Sequence, residues 1–490
     1  MNSLLHSRGS RGRSPLSLLL LICSIASACG SQEADPVVQY DGTPPNLVLI
    51  TLDTTRADHL GPYGYFRDTT PELDKFAAES LMFERCIAPM ATTLPTHLSM
   101  LTGTYPIEHG VMANSIPGGL QYVVSEALSS LATTLSGAGY HTGGFVSGSP
   151  LNKGSGAARG YDSFGQPTSK DRRSEETVGE ALEWMEKIHD QPFHLWVHMF
   201  DAHWPFQPPA EYQGLFETDE GLEQFITERG IHGDAVRPLL EVRENSRAVT
   251  NAYDGALRYQ DAQFGRLLDA LRSRNDWDRT VVVVIGDHGE GLGQHGEAAH
   301  RHIWDEQLRV PLFVRIPKWR TGVSDVTLST VDVLPTVLAQ LDLPFAADLR
   351  KQASGRNVLH PNFQPAPVFS QETGRSREMT SYRFTLTDKR WKYVRIEERD
   401  GGYAEHLFDL RADPYELQDQ ALRRPKITEQ FRAGLIRVRR LQKARARQLH
   451  KNGEAETRAI DAQTQRDLRA LGYVDEGDKE DGHEDESRDE

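Results

Sequence analysis

Three acidic residues each follow an apolar run, and this placement predicts a metal site. Asp53 ends the run NLVLITLD, Asp201 ends FHLWVHMFD and Asp287 ends TVVVVIGD. In open α/β sheets ligands bind at the carboxyl ends of the parallel strands, so we expect the three carboxylates to converge. His288 follows Asp287 directly, and carboxylates combined with imidazoles suit a divalent cation.

A glycine-rich segment after Asp287 supplies further imidazoles. This segment, GDHGEGLGQHGEAAHRH, also carries His295, His300 and His302. Its glycines resemble a phosphate-binding loop only superficially, and we expect them to permit tight turns that bring His288 and His295 toward the cation. Near Asp53, Arg56 and Asp58 are predicted to pair with each other or with their loop.

The stretch MATTLPTHLSMLTG, Met90 to Gly103, places a hydroxyl where it could act as a nucleophile. Pro95 predicts the first position of a short helix and Gly103 its end, so Thr93 should lie just before the helix N-terminus. Helix N-termini bind tetrahedral anions, and a hydroxyl beside a metal is an activated nucleophile. The alternative is that Thr93 only caps the helix, and this stretch alone leaves both roles open.

Strands alternating with helices must position these residues. The three apolar runs are typical of strands buried on both faces. Between them, EETVGEALEWMEKI and ALRYQDAQFGRLLDAL carry apolar residues at helical spacing. This alternation predicts an α/β fold with a mainly parallel sheet.

The pattern changes after about residue 360. The segment SYRFTLTDKRWKYVRI alternates apolar and polar residues, which predicts a smaller antiparallel sheet with one solvated face. Residues 426–451 follow as a basic amphipathic helix, with an apolar stripe of Phe431, Leu435, Val438 and Leu441. We expect this helix to pack with its basic face in solvent; contact with an anionic membrane surface is the alternative.

The overall charge argues against nucleic acid as a partner. The 490 residues carry a formal net charge of -15, whereas nucleic-acid-binding domains are basic. Much of this charge lies in residues 475–490, where ten acidic residues face only Lys479 and Arg488. Because this segment lacks aromatic residues, we predict a solvated, disordered acidic tail.

The N-terminus has the pattern of a bacterial lipoprotein signal. Three arginines precede PLSLLLLICSIASAC, an apolar run that is too short to remain as a membrane helix. We predict residues 1–29 as the signal, with Cys29 as the lipidated first residue, and residues 30–44 as a tether. An ordinary secretory signal is the alternative. Both imply export, and the absence of an aspartate after Cys29 favours a lipid-anchored protein of the outer membrane.

The cysteines leave a single thiol in the folded part. Cys23 lies in the predicted signal and Cys29 would carry lipid, so Cys86 has no partner for an internal disulfide. We expect Cys86 to behave as a small buried residue.

Eight segments, spread over roughly residues 45 to 474, resemble the sulfatase family in the family's order. They are NLVLITLDTTRADHLGPYG, TTPELDKFAAESLMFERC, TLPTHLSMLTGTYPIEHGV, HMFDAHWPFQPP, IGDHGEGLGQHGE, WDEQLRVPLFVRIP, HLFDLRADPYELQDQ and LRALGYV. The resemblance implies an alkaline-phosphatase-like three-layer sandwich, which hydrolyses or transfers sulfate or phosphate esters at a metal-bound nucleophile. It implies a catalytic domain at 45–360 and a C-terminal subdomain at 361–474.

The resemblance also implies a metal site. Asp53 and Asp287 match metal-binding aspartates, and His288 takes a position that is usually Asn or His. Thr93 matches the nucleophile and completes this first site. The family's cation is Ca²⁺, but Thr54 replaces a second metal-binding aspartate, and the less anionic site favours Zn²⁺ or Mn²⁺.

Two further histidines match catalytic positions. His203, in DAHWPF, matches the histidine that contacts sulfate, and His300 falls where many members have a substrate-binding lysine. Together with Asp201, these histidines either hold a second metal or contact the anionic group of the substrate. His97, in the arginine position of the nucleophile motif, is predicted to bind substrate.

The departures from the family pattern are selective. Besides Thr54, Thr93 and His97, Ser147 and Ser149 stand where many members have Lys and His. These changes fall on metal and substrate contacts while the scaffold motifs persist. We therefore expect a different substrate or mechanism rather than a decayed copy.

Thr93 itself indicates which mechanism. Sulfatases oxidise a cysteine to formylglycine, which threonine cannot form, and Cys86 lacks the C-x-P-x-R context. Threonine has one hydroxyl, so a sulfated Thr93 would require water to attack sulfur. Related nucleotide pyrophosphatases cleave a phosphorylated threonine that way, from a segment with Thr, Pro and His at the same spacing.

We therefore predict a metal-dependent hydrolase of phosphate monoesters or phosphodiesters. Two alternatives are a true sulfatase that works despite the threonine, and a catalytically silent surface lipoprotein that binds sulfated or phosphorylated glycans. The substrate class is a small-molecule, glycan or lipid ester.

Overall fold

The three apolar runs form three adjacent strands at the centre of one large sheet. The computed structural model describes residues 42–116, 119–168, 171–189, 191–230, 246–297, 299–341, 343–372, 381–460 and 462–470. The predicted signal with Cys29, most of the tether and the predicted acidic tail lie outside the described residues. No described helix is long and apolar enough to cross a membrane.

The strands and helices alternate over most of the chain. The strands are β1 (Asn46–Leu52), β2 (Leu81–Ile87), β3 (Leu120–Val123), β4 (His141–Val146), β5 (Ser163–Gly165), β6 (Phe193–Met199), β7 (Thr280–Gly286), β8 (Arg309–Val310), β9 (Leu312–Arg315), β10 (Gly322–Ser329), β11 (Val368–Glu372), β12 (Ser381–Thr387), β13 (Trp391–Glu398), β14 (Tyr403–Asp409) and β15 (Glu456–Ala459). The helices are α1 (Pro71–Ala78), α2 (Thr93–Thr102), α3 (Pro106–His109), α4 (Leu131–Gly137), α5 (Ser174–Met185), α6 (Glu220–Glu228), α7 (Ser246–Arg272), α8 (Asp305–Leu308), α9 (Thr330–Gln340), α10 (Ala347–Gln352), α11 (Pro425–Leu449) and α12 (Ala462–Ala470).

The large sheet has the order β10-β2-β9-β7-β1-β6-β4-β5, with β8 beside β2. The pairs β7-β1, β1-β6, β6-β4, β4-β5 and β10-β2 are parallel, whereas β9 runs antiparallel to both of its neighbours. The predicted α/β fold with a mainly parallel sheet is therefore confirmed.

Both faces of this sheet are covered, which makes three layers. Along β1, Leu47 and Leu49 belong to one hydrophobic cluster, with side chains from α2, α4 and α9. The alternate residues Val48 and Ile50 belong to a second cluster, with side chains from α1, α5 and α7. Because successive side chains of a strand point to opposite faces, a strand covered on both sides is apolar throughout, as its sequence predicts.

The C-terminal part forms the predicted smaller antiparallel sheet, in the order β11-β12-β13-β14. Helix α11 packs on it through Phe431 and Leu435, which are buried with side chains of β12 and β13. Val438 is partly buried, but Leu441 is 62% exposed. The predicted apolar stripe is therefore wrong at Leu441. Elsewhere β3 and β15 form a two-stranded sheet.

Candidate metal and nucleophile site

Strand register brings two of the predicted carboxylates together. Leu52 of β1 pairs with Gly286 of β7, so Asp53 and Asp287 are the next residues on adjacent parallel strands. Both side chains are fully buried. Ligand atoms of Asp53, Asp287 and His288 lie within 4.8 Å of one another, a spacing that could hold a metal ion.

Protein donors occupy one oxygen of each carboxylate. Asp53 Oδ2 is 3.1 Å from His198 Nε2, and Asp287 Oδ1 accepts the N–H groups of Thr54 at 3.1 Å and His288 at 2.6 Å. Within the described ranges, Asp53 Oδ1 and Asp287 Oδ2 have no hydrogen-bond partner. Burying such oxygens is costly unless a partner compensates them, so the pair fits a bound cation.

Electrostatics support the same conclusion. Burial raises the pKa of Asp53 well above its usual range, despite contacts with Asp287 and Thr93 that lower it. Burial also raises the pKa of Asp287, and the charge of Asp53 raises it further. Burial lowers the pKa of His288, which leaves a neutral imidazole as a possible ligand. Two buried carboxylates and a neutral imidazole are a donor set that suits a divalent ion.

Thr93 lies at this cluster. It is the first residue of α2, which begins two residues before the predicted start at Pro95, and its Oγ1 is 3.4 Å from His288 Nε2. The helix-cap alternative is wrong, because Thr92 occupies the cap position and its side chain makes no capping hydrogen bond. The expected anion site is also reduced: Leu94 N–H donates to Asn114 Oδ1 at 2.8 Å, and Pro95 has no N–H to offer.

His97 lies behind the hydroxyl. Its ring is fully buried, and its Nδ1 is 2.8 Å from the carbonyl oxygen of Thr93 and 3.5 Å from Asp287 Oδ2. Because a carbonyl oxygen only accepts, Nδ1 must carry the proton. In the part of the chain that the structure describes, Nε2 lacks a hydrogen-bond partner. The predicted contact of His97 with substrate stays a prediction.

His203 and His300 join the cluster through His288. The ring centroids of His288 and His300 are 4.5 Å apart, and those of His203 and His300 are 5.1 Å apart. Burial lowers the pKa of His203 and His300 to about 3, so both rings are neutral at pH 7. Glu290, which the sequence reasoning did not select, is buried with its Oε1 3.4 Å from His300 Nδ1.

Asp201 does not join them. Its carboxylate accepts the N–H of Ser174 at 3.2 Å and the Ser174 hydroxyl, and so anchors the start of α5. The reason is register: Leu52 pairs with Met199, which places Asp201 one residue beyond the position beside Asp53. The expected convergence of three carboxylates is wrong for Asp201. Its candidacy as a ligand of a second metal with His203 and His300 is also wrong, because the group of possible ligands that lie together among the described residues is Asp53, Asp287 and His288.

The other histidines of the glycine-rich segment serve the scaffold. His295 Nδ1 is 2.9 Å from Glu306 Oε1, and its ring stacks on Trp304 at 4.2 Å. His302 Nε2 is 3.0 Å from Glu297. The expectation that His295 turns toward the cation is therefore wrong.

Two further structural predictions are confirmed. Arg56 Nη2 is 2.9 Å from Asp58 Oδ2, and Arg56 also donates to the carbonyl oxygen of Glu290 at 3.1 Å, which ties the first loop to the glycine-rich segment. Cys86 is buried, and it forms no disulfide within the residues that the structure describes.

Sequence reasoning missed His198. It lies on β6, where His194 and His198 are the two polar residues of the strand FHLWVHM. Two imidazoles within an otherwise apolar strand were the available signal. Thr54 is unusual in another way: its φ is 48° and its buried Oγ1 lacks a hydrogen-bond partner among the described residues.

Known proteins similar to this chain include hydrolases of sulfate and phosphonate esters. Residues 45–343 match the family model described as Sulfatase. An arylsulfatase of Clostridium perfringens (strain 13 / Type A) is 24% identical over 453 residues, covering 76% of this chain and 89% of that protein. The multifunctional alkaline phosphatase superfamily protein PehA of Trinickia caryophylli is 23% identical over 477 residues, covering 77% and 91%. The crystal structure of the phosphonate monoester hydrolase of Agrobacterium radiobacter has a similar fold, with a TM-score of 0.62 at 19% identity, over 81% of this chain and 96% of that one.

Proposed function

The chain belongs to the sulfatase family and is a hydrolase of ester bonds, and from this premise we propose that Thr93 attacks phosphate monoesters or phosphodiesters directly. The observation that carries the proposal is the position of the Thr93 hydroxyl, 3.4 Å from His288 in the group of Asp53, Asp287 and His288. A hydroxyl at such a group is where a metal-assisted nucleophile belongs.

The candidate ligands of the cation are Asp53, Asp287 and His288, with the Thr93 hydroxyl beside them. When bound, a divalent ion lowers the pKa of a hydroxyl and neutralises negative charge that develops on the phosphoryl oxygens. Calcium is the ion of the family resemblance. The imidazole of His288, and threonine rather than a carboxylate at position 54, favour Zn²⁺ or Mn²⁺.

The reaction then has two displacements. In the first, the Thr93 hydroxyl loses its proton and its Oγ1 bonds to phosphorus, while the bond from phosphorus to the ester oxygen breaks and that oxygen takes a proton. In the second, water attacks phosphorus, the bond to Oγ1 breaks and Thr93 regains its proton. His203 and His300 are proposed to contact the phosphoryl oxygens. Because both rings are neutral at pH 7, one of them is proposed to accept the proton that leaves Thr93 and to pass the same proton to the departing oxygen.

The single hydroxyl of Thr93 is what favours phosphorus over sulfur. A formylglycine hydrate can expel sulfate with its second hydroxyl, whereas Thr93 has none and depends on water attacking the esterified centre. Because an arylsulfatase is among the relatives, hydrolysis of sulfate esters is the alternative activity. The leaving group is proposed to be a small-molecule, glycan or lipid alcohol.

The test compares matched substrates on purified protein. We expect an aryl phosphate or aryl phosphodiester to be cleaved faster than the aryl sulfate with the same leaving group. Acid quenching during turnover should trap phosphate on Thr93, detectable by mass spectrometry. A marked preference for the sulfate ester would overturn the phosphoryl assignment.

We further propose that the chain is exported and lipid-anchored through Cys29, on the support of the signal-like sequence alone. The protein should incorporate labelled fatty acid and partition into detergent, and Cys29→Ser should abolish both. Recovery of the wild-type protein without lipid would contradict the anchor.

A further inference from the structure

His198 lies directly behind one of the candidate metal ligands. It is fully buried on β6, where it pairs in register with Thr51 of β1, two residues before Asp53. Its Nε2 is 3.1 Å from Asp53 Oδ2.

The surroundings of the ring determine which nitrogen carries the proton. The backbone N–H of Ser147 donates to His198 Nδ1 at 3.3 Å. A backbone N–H can only donate, so Nδ1 is the acceptor and the proton of the neutral ring sits on Nε2. His198 therefore donates a hydrogen bond to Asp53 rather than offering a lone pair.

Packing holds the ring in this orientation. Gly148 follows Ser147, and a methyl group added at Gly148 would lie 3.1 Å from His198 Cε1 and 3.0 Å from Phe200 Cδ2. Such contacts are tighter than ordinary van der Waals separation. The glycine thus leaves just enough space for the ring beside the backbone that anchors it.

The two carboxylates of the site are consequently held in the same manner. Asp53 has Oδ2 bound by His198 and Oδ1 without a partner, while Asp287 has Oδ1 bound by two backbone N–H groups and Oδ2 without a hydrogen bond, within the described residues. The protein thus holds one oxygen of each acid and leaves the other for a cation.

We propose that His198 is a positioning residue that orients the Asp53 carboxylate for cation binding, through the relay from the Ser147 N–H. This inference rests on the metal site of the proposed function. Hydrogen-bond partners behind metal ligands typically change metal affinity 10- to 100-fold when they are removed. His198 itself is not a ligand, because its Nε2 carries the proton.

The test uses three variants and two readouts. His198→Phe removes the donor at similar volume, and His198→Gln retains an N–H donor. His194→Phe is the matched control: it lies on the same strand, is equally buried, and bonds to the Leu47 carbonyl oxygen at 3.0 Å instead of to the site. The readouts are the dissociation constants for Mn²⁺ and Zn²⁺ by calorimetry, and the melting temperature of the metal-free protein.

We expect His198→Phe to weaken metal binding by about 10- to 100-fold, His198→Gln to stay within a few-fold of wild type, and His194→Phe to bind metal normally. Gly148→Ala should weaken binding several-fold, because its methyl group displaces the ring without removing a ligand. That variant also serves if His198→Phe does not fold.

Three outcomes would overturn the inference. Wild-type metal affinity in both His198→Phe and Gly148→Ala would show that the ring has only a packing role. Complete loss of metal in His198→Gln would show direct ligation instead. A wild-type protein that binds neither Mn²⁺ nor Zn²⁺ would refute the metal site itself. The wild type is therefore titrated first, before any variant is compared with it.

Discussion

Two groups of buried acids in this molecule differ in what compensates their charge. The first is the strand-end pair, Asp53 and Asp287, which has unpartnered oxygens and no basic side chain within salt-bridge distance except histidine, in the part of the chain described. The second is the inter-sheet cluster of Asp305 and Glu416, where Lys392 Nζ lies 3.0 Å from Asp305 Oδ1 and 2.6 Å from Glu416 Oε1.

The inter-sheet cluster joins the two sheets. Lys392 is on β13 of the small sheet, whereas Asp305 begins α8 beside the large sheet and also pairs with Arg85 of β2. Although burial alone would raise it, Arg85 and Lys392 hold the pKa of Asp305 well below its usual range. Burial raises the pKa of the second acid, Glu416, to about 7 although Lys392 lowers it, and burial also raises the pKa of Asp53 and Asp287. In the inter-sheet cluster, Lys392 and Arg85 pair with the acids and so connect the two sheets. The strand-end pair has no such partner among the described residues and remains available to an added cation.

The largest expected effect comes from removing the hydroxyl beside the strand-end pair. Thr93→Ala should reduce turnover by about 10³-fold or more with little change in melting temperature, because the Thr93 side chain does not cap α2. Thr93→Ser should retain appreciable activity. Thr93→Cys should not become a sulfatase, since His97 holds the arginine position of the formylglycine motif. Steady-state kinetics on one phosphodiester, and on the matched aryl sulfate for Thr93→Cys, test these outcomes, and an active Thr93→Ala enzyme would contradict the mechanism.

Matched amide substitutions should separate the two groups of acids. Asp287→Asn should lose bound metal and activity while the metal-free protein becomes no less stable, because one of two repelling buried charges disappears. Asp305→Asn should do the reverse, lowering stability by breaking a buried pair while metal content stays normal. Elemental analysis and urea denaturation of both variants provide the check. Equal metal content in the two variants would erase the distinction.

Lys392 should matter for stability alone. Lys392→Met removes the cation from two buried acids, and breaking a buried ion pair on one side costs about 3–5 kcal/mol of unfolding free energy. Its side chain is fully buried, so solvent cannot compensate. Metal affinity per folded molecule should be unchanged, which calorimetry at low temperature can measure. A stable Lys392→Met protein would show that the inter-sheet cluster is not a structural lock.

Adding a cation should stabilise only proteins with an intact strand-end pair. At a free concentration 100 times the dissociation constant, one bound ion adds about 2.7 kcal/mol to the free energy of unfolding. We expect wild type and Lys392→Met to gain this increment equally and Asp287→Asn to gain none. Chelation of the wild type should remove it. An equal gain in Asp287→Asn would locate the cation elsewhere.

The strands of the candidate site are predictable from sequence because burial on both faces leaves an unbroken apolar run that ends where the sheet ends. The position of Asp201 cannot be predicted in this way, because its distance from Asp53 depends on a one-residue difference in strand register. Register is set by pairing across strands rather than by local composition. The same applies to Leu441: the buried face of α11 continues through Gln442 and Ala446, so the side chain of Leu441 is exposed.

His198 shows a second kind of limit. A histidine in a buried strand reads as a tolerated polar residue until the neighbouring strands show that its Nε2 meets Asp53 and its Nδ1 meets Ser147. The group of Asp53, Asp287 and His288 is predictable from the sequence, because the two aspartates end apolar runs and His288 directly follows Asp287. Partners that lie behind the ligands depend on contacts between residues about fifty to 145 positions apart.

A third buried acid, Asp261 on α7, gives the smallest and most graded effect. It has neither the strand-end arrangement nor a close lysine: its oxygens accept the N–H groups of Glu72 and Leu73 at 2.8 and 2.9 Å, and Arg258 lies 3.6 Å away. Burial nevertheless raises its pKa to about 7.

Because this folded-state pKa exceeds the unfolded value of about 3.9, the stability that Asp261 contributes is fully present below about pH 4. It is lost as the pH rises through about 7, at no more than about 1.4 kcal/mol per pH unit. Asp261→Asn should remove that slope, although losing one acceptor lowers its stability at every pH. Urea denaturation of wild type and variant at pH 5, 6, 7 and 8 measures the difference. If the unfolding free energies of variant and wild type change with pH in parallel, the N–H donors keep Asp261 ionised, and backbone dipoles then compensate a buried acid as Arg85 and Lys392 do for Asp305.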